Sequence, residues 1–226
     1  MSTTTTPTPH GAIIAIEGLE GVGKSTQVVL LADALMRLGY DVKTPREPGG
    51  TGFGEEVRRI LKNGEYKPVP KAELLMFEAS RAQLIESMQD HLEKGGILIM
   101  DRFIWSTLAY QGAGRGLDSV DIRFLNSFAT SGVHPDLVVV LDLTVAESRG
   151  RLFKRNDITD NFESLADPFF ERARNCFIEL CAEHSGRSIL LDARQEVPVI
   201  HTRILEKTVS MLSAKGVVPS SSSCQA

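Results

Sequence analysis

A short segment near the start of the chain has the residue types of a phosphate-binding loop. Gly18 to Ser25 reads Gly-Leu-Glu-Gly-Val-Gly-Lys-Ser, which fits the pattern Gly-x-x-x-x-Gly-Lys-Ser/Thr between a predicted strand and a predicted helix. Its glycines allow backbone N–H groups to line a concavity at a helix N-terminus, where an anion is stabilised. Lys24 is then expected to reach the β- and γ-phosphates of a nucleotide, and the Ser25 hydroxyl to ligate Mg²⁺. The alternative is an ordinary Gly-rich turn that binds no phosphate and is followed by a lysine only by coincidence.

Charged residues also follow the second and third predicted strands. The segment Arg-Glu-Pro-Gly-Gly-Thr from Arg46 to Thr51 is a turn-forming cluster, and taken alone it could equally be a loop with a surface ion pair. The third strand ends in Asp101, Arg102 and Phe103. A carboxylate at that position suits contacts to Mg²⁺ or water, and a guanidinium suits a phosphate clamp.

Two further pairs of residues share a helix face. Phe77 and Arg81 lie four apart in the helical pattern from 71 to 93. From this stretch alone we favour a core phenylalanine and an arginine that snorkels to solvent, with pairing inside a cavity as the alternative. Thr107 and Tyr110 share a predicted helical turn, and the Gly-rich segment 111–116 is predicted to be mobile.

A cluster of cations lies on the helix that the Thr-Val-Ala-Glu capping box at Thr144 begins. A solvated helix face is the ordinary explanation of such a cluster. Beside a phosphate loop, however, a basic flap can close over a transferring group, neutralise it and exclude water. The phosphate loop itself contains no arginine, so we expect the transition-state cation to come from this flap, with Arg151 and Arg155 as candidates. The cluster comprises Arg149, Arg151, Lys154 and Arg155.

The elements that must position these residues alternate along the chain. Apolar runs are separated by longer helical patterns, which predicts an α/β fold with a mostly parallel sheet covered on both faces. Ligands of such sheets collect at the carboxyl ends of the strands, where the charged residues are found. The predicted strands are 12–17, 41–44, 97–101, 137–142 and 188–192, and the predicted helices are about 24–38, 71–93, 118–132, from 144 onward, 167–183 with Asp167 as its cap, and 195–215.

Length and composition limit the function classes. The 226 residues fit one domain, predicted over 11–215, with disordered tails at 1–10 and 216–226. A net charge of −4 argues against a nucleic acid polymer as partner. The three cysteines are odd in number and have no zinc-like spacing, which predicts reduced thiols in a cytoplasmic protein. No apolar run has membrane-spanning length, so no membrane association is predicted.

Taken together, the motifs resemble those of bacterial-type thymidylate kinase, a P-loop nucleoside monophosphate kinase. The similarity covers nearly the whole chain and is carried by the segments 17–26, 46–51, 77–81, 101–103 and 110–112. It implies a three-layer α/β sandwich with a five-stranded parallel sheet flanked by helices. It also implies a homodimer that phosphorylates dTMP to dTDP with ATP and Mg²⁺, in dTTP biosynthesis. Two alternatives are a kinase for another nucleoside monophosphate and a nucleotide-binding switch without an acceptor site.

The resemblance also implies roles for individual residues. In dTMP binding, Arg46 and Arg102 would grip the phosphate, Phe77 would stack on thymine, and Arg81 would donate to a thymine carbonyl. The implied ATP-binding residues are Gly18, Leu19, Glu20, Gly21, Val22, Gly23, Lys24, Ser25 and Thr26, with Ser25 and Asp101 near Mg²⁺. The implied dTMP-binding residues are Glu20, Arg46, Phe77, Arg81, Arg102, Thr107, Tyr110 and Gln111, and the implied catalytic residues are Glu20, Lys24, Arg102, Arg151 and Arg155.

The resemblance also implies how Glu20, Thr107 and Tyr110 contact the acceptor nucleotide. Glu20 takes the place of the loop acid that binds the sugar or another group on the acceptor side. Thr107 would complete the contacts to the base, and Tyr110 would lie beneath the deoxyribose and leave little room for a 2′-hydroxyl. The predicted lid at 149–164 departs from the family, which commonly has Asp-Arg-x-Glu where this chain has Asp-Asn-Phe-Glu at 160–163. Lys154 or Arg155 is expected to replace the missing arginine.

Overall fold

The computed structural model describes residues 11–62, 66–155 and 166–219. Within these ranges five strands form one parallel sheet in the order β2-β3-β1-β4-β5. The predicted fold class is therefore confirmed. Four of the predicted strands have the predicted bounds, and only the second is shorter. The strands are β1 Ala12–Glu17, β2 Val42–Lys43, β3 Ile97–Asp101, β4 Leu137–Asp142 and β5 Ser188–Asp192.

Helices flank the sheet, and most begin and end within two residues of the predicted positions. Two parts of this prediction are wrong. A helix at Gly52–Lys62 was not predicted, and the segment predicted to be mobile belongs mostly to a buried π-helix, Leu108–Gly114. The α-helices are α1 Lys24–Arg37, α2 Gly52–Lys62, α3 Pro70–Glu93, α4 Ile104–Thr107, α5 Ser119–Ala129, α6 Val145–Arg155, α7 Asp167–Glu183 and α8 Val197–Lys215.

Side-chain caps define the start of two helices as predicted. The Asp118 carboxylate accepts a hydrogen bond from the Val120 N–H at 2.7 Å at the start of α5. At the start of α6, the Thr144 N–H donates to Glu147 Oε2 at 3.0 Å and the Glu147 N–H donates to Thr144 Oγ1 at 3.3 Å. These bonds satisfy backbone donors that a helix leaves without partners. For α7 the predicted cap is wrong by one residue, because Asp167 is already helical.

The register of the sheet determines where the site lies. Strand β1 is central and all six of its residues are buried, as its apolar sequence predicts. Ile16 is paired with Asp101 of β3, so the residues that follow β1 lie beside the end of β3. Parallel pairing therefore brings Gly18 and Arg102 to the same edge of the sheet, although 84 residues separate them along the chain.

One hydrophobic cluster includes residues from Ala12 to Val217. The chain leaves α8 through Gly216 at φ 76°, and Val217 is only 5% exposed, so packing extends past the boundary predicted at 215. The predicted tail at 1–10 lies outside the described residues, and so do residues 220–226 of the predicted tail at 216–226. Among the helices of the described segments, none combines the length and apolar character needed to cross a membrane.

Candidate active site

The phosphate loop connects β1 to α1 in a conformation that depends on glycine. Gly18 has φ 130°, and a Cβ at this position would lie 2.3 Å from the Leu141 carbonyl oxygen. Gly23 has φ 99° and is the N-cap of α1, where no side chain caps the helix. Because no side chain caps them, the first backbone N–H groups of α1 can donate hydrogen bonds to an anion at this end of the helix.

Lys24, the lysine of the phosphate-loop motif, is folded against the loop. Its ammonium donates to the Leu19 carbonyl at 2.6 Å and to the Gly18 carbonyl at 3.2 Å, and the residue is 7% exposed. Burial, and after it the nearby Arg102 cation, lower the pKa of Lys24 to about 8. A negatively charged group bound beside Lys24 would therefore stabilise the charged form of its side chain.

Ser25 and Asp101 form a pair of hard oxygen ligands beside the loop. The Ser25 hydroxyl donates to Asp101 Oδ2 at 2.6 Å. Within the described residues there is no cluster of three or more His, Cys, Asp or Glu side chains that could hold a metal ion. Mg²⁺ commonly uses only one or two protein oxygens together with substrate phosphates and water, so this pair fits that metal.

Arg102 connects the end of β3 to the phosphate loop. Its guanidinium donates to Glu20 Oε1 at 2.7 Å and to the Gly18 carbonyl at 3.1 Å, and it lies 5.0 Å from the centre of the Tyr110 ring. Burial disfavours the cation, but the oxygens of Tyr110 and Glu20 outweigh this effect and raise the pKa of Arg102. Arg102 therefore stays charged beside the loop, as a phosphate clamp requires.

Glu20 is held from two sides by residues that the sequence analysis assigned to the same site. The Tyr110 hydroxyl donates to Glu20 Oε2 at 2.9 Å, while Arg102 occupies Oε1. The loop backbone is also anchored, because the Ser148 hydroxyl donates to the Glu20 carbonyl at 2.6 Å. Glu20, Arg102 and Tyr110 are therefore brought together, as the resemblance implied.

Glu17 organises the turn that carries Arg102. The side chain is fully buried, and Oε1 accepts hydrogen bonds from the Phe103 N–H at 2.9 Å and the Ser106 N–H at 3.2 Å. Oε2 accepts from the Ser106 hydroxyl at 2.6 Å. Burial raises the pKa of Glu17 above its ordinary value, and these hydrogen bonds oppose that rise. The sequence alone does not reveal this role, because it signals only a carboxylate at a strand end.

Arg46 lies at the same edge of the sheet as Lys24 and Arg102. Its backbone forms a parallel bridge with Asp101, and the Glu47 N–H donates to the Asp101 carbonyl at 3.1 Å. The side chain is exposed and pairs with Glu55 at 3.0 Å. The loop therefore does contain a surface ion pair, but its carboxylate comes from α2. The two arginines expected to bind a phosphate therefore follow neighbouring strands at the sheet edge that carries the phosphate loop, and within the described part of the chain only Arg102 of the two contacts that loop directly.

Arg81 is fully buried, so the interpretation that it snorkels to solvent is wrong. The residue is 1% exposed, and Nε donates to Glu47 Oε2 at 2.8 Å. Nη1 donates to Glu78 Oε1 at 2.8 Å and to Thr107 Oγ1 at 3.0 Å, and Asn126 accepts a further hydrogen bond. The alternative interpretation, pairing inside a cavity, is the one that the structure supports. Arg81 and Thr107 are brought together, as the resemblance implied.

Phe77 and Gln111 lie near this buried network but have different surroundings. Phe77 is half-buried on α3, one turn before Arg81. Gln111 is buried in the π-helix, where its amide donates to Glu73 Oε1 at 2.9 Å, and Arg115 pairs with the same carboxylate at 2.8 Å. Gln111 is thus held in place by the Glu73 carboxylate, a contact between residues 38 apart that no sequence motif signals.

The cationic helix α6 presents its residues in different directions. Arg149 pairs with Asp167 of α7 at 2.6 Å, whereas Arg151 donates to the Ala193 carbonyl at 2.7 Å. Arg155 ends the described part of α6, but its side chain and the lid motif at 160–163 lie outside the described residues. Arg151 also borders a surface cavity of about 370 Å³, whose other lining residues are Leu143, Glu147, Gly150, Lys154 and Arg194.

The buried carboxylates around Arg81 predict a pH-dependent stability. Burial raises the pKa of Glu47 from 4.5 to about 7 despite the Arg81 cation, and it also raises that of Glu78. A carboxyl group with a raised folded-state pKa stabilises the fold most at low pH, and this contribution is lost as pH rises through about 7. We therefore expect the free energy of unfolding of the unliganded protein to fall between about pH 5 and pH 8.

Urea denaturation across this pH range measures the effect, and Glu47→Gln should flatten the slope. Glu55→Gln is the matched control, because the Glu55 side chain is 43% exposed and its pKa is lowered, first by the Gly50 N–H and then by Arg46. Equal slopes in the parent protein and in Glu47→Gln would contradict the prediction.

The chain matches the family model described as thymidylate kinase over residues 16–204. It is 38% identical over 209 residues to a thymidylate kinase of Exiguobacterium sp. (strain ATCC BAA-1283 / AT1b), covering 92% of this chain and 98% of that protein. It is 39% identical over 205 residues to a thymidylate kinase of Clavibacter sepedonicus, covering 90% and 97% of the two chains. A crystal structure of thymidylate kinase from Ehrlichia chaffeensis has a TM-score of 0.72 at 30% identity, covering 89% of this chain and 99% of that one. The family match includes every site residue described above.

Proposed function

The chain belongs to the thymidylate kinase family, and on that premise we propose how its residues share the work of phosphorylating dTMP to dTDP with ATP. The observation that carries the assignment is a shared hydrogen-bond acceptor. Lys24 of the phosphate loop and Arg102 of the β3 turn both donate to the Gly18 carbonyl, at 3.2 and 3.1 Å. Two cationic groups, one for each phosphate-bearing substrate, are therefore neighbours at one edge of the sheet.

On the donor side, the loop from Gly18 to Thr26 binds the ATP phosphates. The loop N–H groups and the Lys24 ammonium balance negative charge on the β- and γ-phosphates. Ser25 and Asp101 would hold Mg²⁺, and the ion would supply positive charge at the transferring group. Phosphoryl transfer needs little covalent help from protein, and a fixed arrangement of cations is the main requirement.

On the acceptor side, Arg102 and Arg46 bind the dTMP phosphate, and an oxygen of that phosphate attacks the γ-phosphorus of ATP. The bond between this phosphorus and the oxygen of the leaving ADP breaks as the new bond forms. Glu20 binds the sugar or a neighbouring acceptor group, and Tyr110 lies beneath the deoxyribose. The support for this arrangement is that Arg102, Glu20 and Tyr110 form one hydrogen-bonded group next to the loop.

At the base end, Phe77 stacks on thymine, Arg81 donates to a thymine carbonyl, and Thr107 and Gln111 complete the contacts. The supporting observation is that Arg81 and Thr107 are 3.0 Å apart and one turn of α3 separates Arg81 from Phe77. Steady-state phosphorylation of dTMP, dUMP, dGMP and dCMP in parallel tests this assignment. A higher kcat/KM for any of the other three would favour the alternative, a kinase for another nucleoside monophosphate.

The other alternative, a nucleotide-binding switch, needs no acceptor site. It is not favoured, because Arg102, Glu20 and Tyr110 form a polar group that a switch would not use. Equilibrium binding of dTMP to the protein without ATP separates the two functions. Saturable binding supports the kinase, and no binding would support the switch.

We expect Arg155→Ala to lower kcat more than it raises the KM for dTMP. The proposed reason is that a flap cation contacts the transferring phosphoryl mainly in the transition state, and loss of such a contact appears in kcat. Steady-state kinetics with dTMP as the varied substrate measures both constants. Lys154→Ala is the matched control on the adjacent residue. A pure KM effect in Arg155→Ala would place this residue in ground-state binding, and a larger kcat effect in Lys154→Ala would transfer the role to Lys154.

The homodimer that the resemblance implies is assigned to the outer face of α5. Val120, Phe124 and Phe128 are 71%, 68% and 78% exposed and lie at intervals of four residues, whereas Ile122 and Asn126 on the opposite face are buried. A helix with one buried face and a second exposed apolar stripe is typical of a surface that another chain covers. A second copy of this chain presents the same stripe, so two copies can pair symmetrically.

We expect Phe124→Glu to convert the dimer to a monomer, because the substitution buries a carboxylate without a partner in the interface. Sedimentation equilibrium measures the mass of the assembly. Phe153→Glu is the matched control, since Phe153 is 87% exposed on α6 and lies outside the α5 stripe. An unchanged dimer in Phe124→Glu would mean that another surface is used, and the helix from 71 to 93 would then be the next candidate.

We also assign the enzyme to the cytoplasm. Among the described residues, Cys176 and Cys181 are both free thiols, which suits a reducing compartment. Burial raises the pKa of Cys176 to about 11, so this thiol stays protonated and unreactive at neutral pH.

A further inference from the structure

We propose that Glu17 is a positioning residue, which holds Arg102 in the orientation needed to bind the acceptor phosphate beside the donor loop. This inference rests on the proposed role of Arg102 in phosphate binding. Glu17 itself is fully buried, so it acts through the residues that it contacts and not on a substrate.

The first support is that the hydrogen bonds of the Glu17 carboxylate go to the turn after Arg102. Oε1 accepts from the N–H groups of Phe103 and Ser106, and Oε2 accepts from the Ser106 hydroxyl. A buried carboxylate is costly unless several donors satisfy it. Three donors from one short turn satisfy this carboxylate, so its position and the conformation of the turn depend on each other.

The second support is the backbone conformation of Arg102. Its φ of 72° lies in the left-handed region, which residues with a side chain rarely adopt. Such a conformation persists only where the surrounding structure enforces it. The backbone N–H of Arg102 donates to the Ile16 carbonyl at 3.1 Å, and the backbone N–H of the next residue, Phe103, donates to the Glu17 carboxylate. The strained residue is therefore held by two consecutive residues of β1.

The third support is a chain of side-chain hydrogen bonds from Glu17 to the guanidinium. Ser106 Oγ donates its proton to Glu17 Oε2 at 2.6 Å and accepts from Arg102 Nη1 at 3.2 Å. The carboxylate thus determines the direction of the serine hydroxyl and leaves its lone pairs for the arginine. An amide at position 17 could donate to Ser106 Oγ and compete with Arg102 for this acceptor.

The position of Glu17 in the chain links the two substrate sites. It directly precedes Gly18, whose carbonyl accepts from both Lys24 and Arg102. The end of β1 therefore determines the distance between the donor loop and the acceptor clamp. Small errors in the relative placement of two reacting groups lower the rate strongly.

We expect Glu17→Gln to lower kcat/KM for dTMP by about 10- to 100-fold, with the KM for ATP changed by less than about twofold. Asp136→Asn is the matched control, because Asp136 anchors the other end of β1 by accepting from the Ile13 N–H at 2.9 Å, far from the site. The control should change the thermal midpoint without changing kcat/KM. A Glu17→Gln enzyme with unchanged kcat/KM for dTMP would overturn the proposal.

Two further variants separate positioning from loss of stability. Ser106→Ala keeps the carboxylate and removes only the hydroxyl link, so it should raise the Kd for dTMP, and Ser106→Thr should restore it. In an Arg102→Gly background, Glu17→Gln should raise the Kd for dTMP no further, because the residue through which it acts is gone. Equal effects of Glu17→Gln with and without Arg102 would also overturn the proposal. If Arg102→Gly alone leaves dTMP binding unchanged, the proposed role of Arg102 fails instead.

Discussion

Lys24→Ala is expected to lower kcat for dTMP phosphorylation by about three orders of magnitude while leaving the fold intact. The expected loss is that of a preorganised cation at a developing negative charge. The fold should tolerate the change, because burial lowers the pKa of Lys24 to about 8. The folded protein therefore disfavours the charged ammonium, and removing it should cost little stability. Its partners are two loop carbonyls, at 2.6 and 3.2 Å, which water can satisfy after the truncation.

Steady-state kinetics and thermal unfolding followed by circular dichroism measure the two parts of this prediction. Lys43→Ala is the control, because Lys43 is an exposed lysine on the edge strand β2. It should retain the kcat of the parent enzyme. A Lys24→Ala enzyme with comparable kcat would contradict the role of the loop lysine, and a collapse of its thermal transition would contradict the claim that the lysine serves charge and not packing.

Removing the Arg102 side chain should lower kcat/KM for dTMP by about 10²- to 10³-fold, whether the replacement is alanine or glycine. The two variants should differ in stability. Arg102 has φ 72°, a conformation that costs a residue with a Cβ about 1 kcal/mol and glycine almost nothing. Arg102→Gly should therefore be more stable than Arg102→Ala by about 1 kcal/mol although both have lost the guanidinium.

Dissociation constants for dTMP, turnover and urea denaturation of the two variants test this prediction together. Because the pair differs only in the Cβ methyl group, each variant is the control for the other. An alanine variant as stable as the glycine variant would mean that the turn relaxes to an ordinary conformation. Retained kcat/KM in both would remove Arg102 from the acceptor site and favour Arg46 as the sole phosphate clamp.

The sequence did not predict helix α2 or the π-helix, and both of these elements contain glycines. Helix α2 begins with Gly52, Phe53 and Gly54, and glycine is a poor helix former, so no helix was predicted there. The segment 111–116, most of which belongs to the π-helix, was predicted to be mobile because it is rich in glycine. Packing decided otherwise, because a Cβ on Gly114 would lie 2.4 Å from the Phe169 ring of α7. A glycine can thus mark close packing as well as a flexible segment.

The sequence by itself determined the phosphate loop, the strand bounds and the fold class, since each depends on neighbouring residues and on a regular spacing of apolar side chains. It also placed Lys24, Ser25 and Asp101 at one sheet edge, because parallel strands end together.

Only the tertiary structure decided which partner each buried charge would have. Glu17 and Ser106 are 89 residues apart in the chain, and Arg81 and Asn126 are 45 apart. Pairing over such distances depends on the order of the strands and on helix packing, which no local pattern records. The cost of burying an unpaired charge then makes these contacts obligatory once the fold has formed.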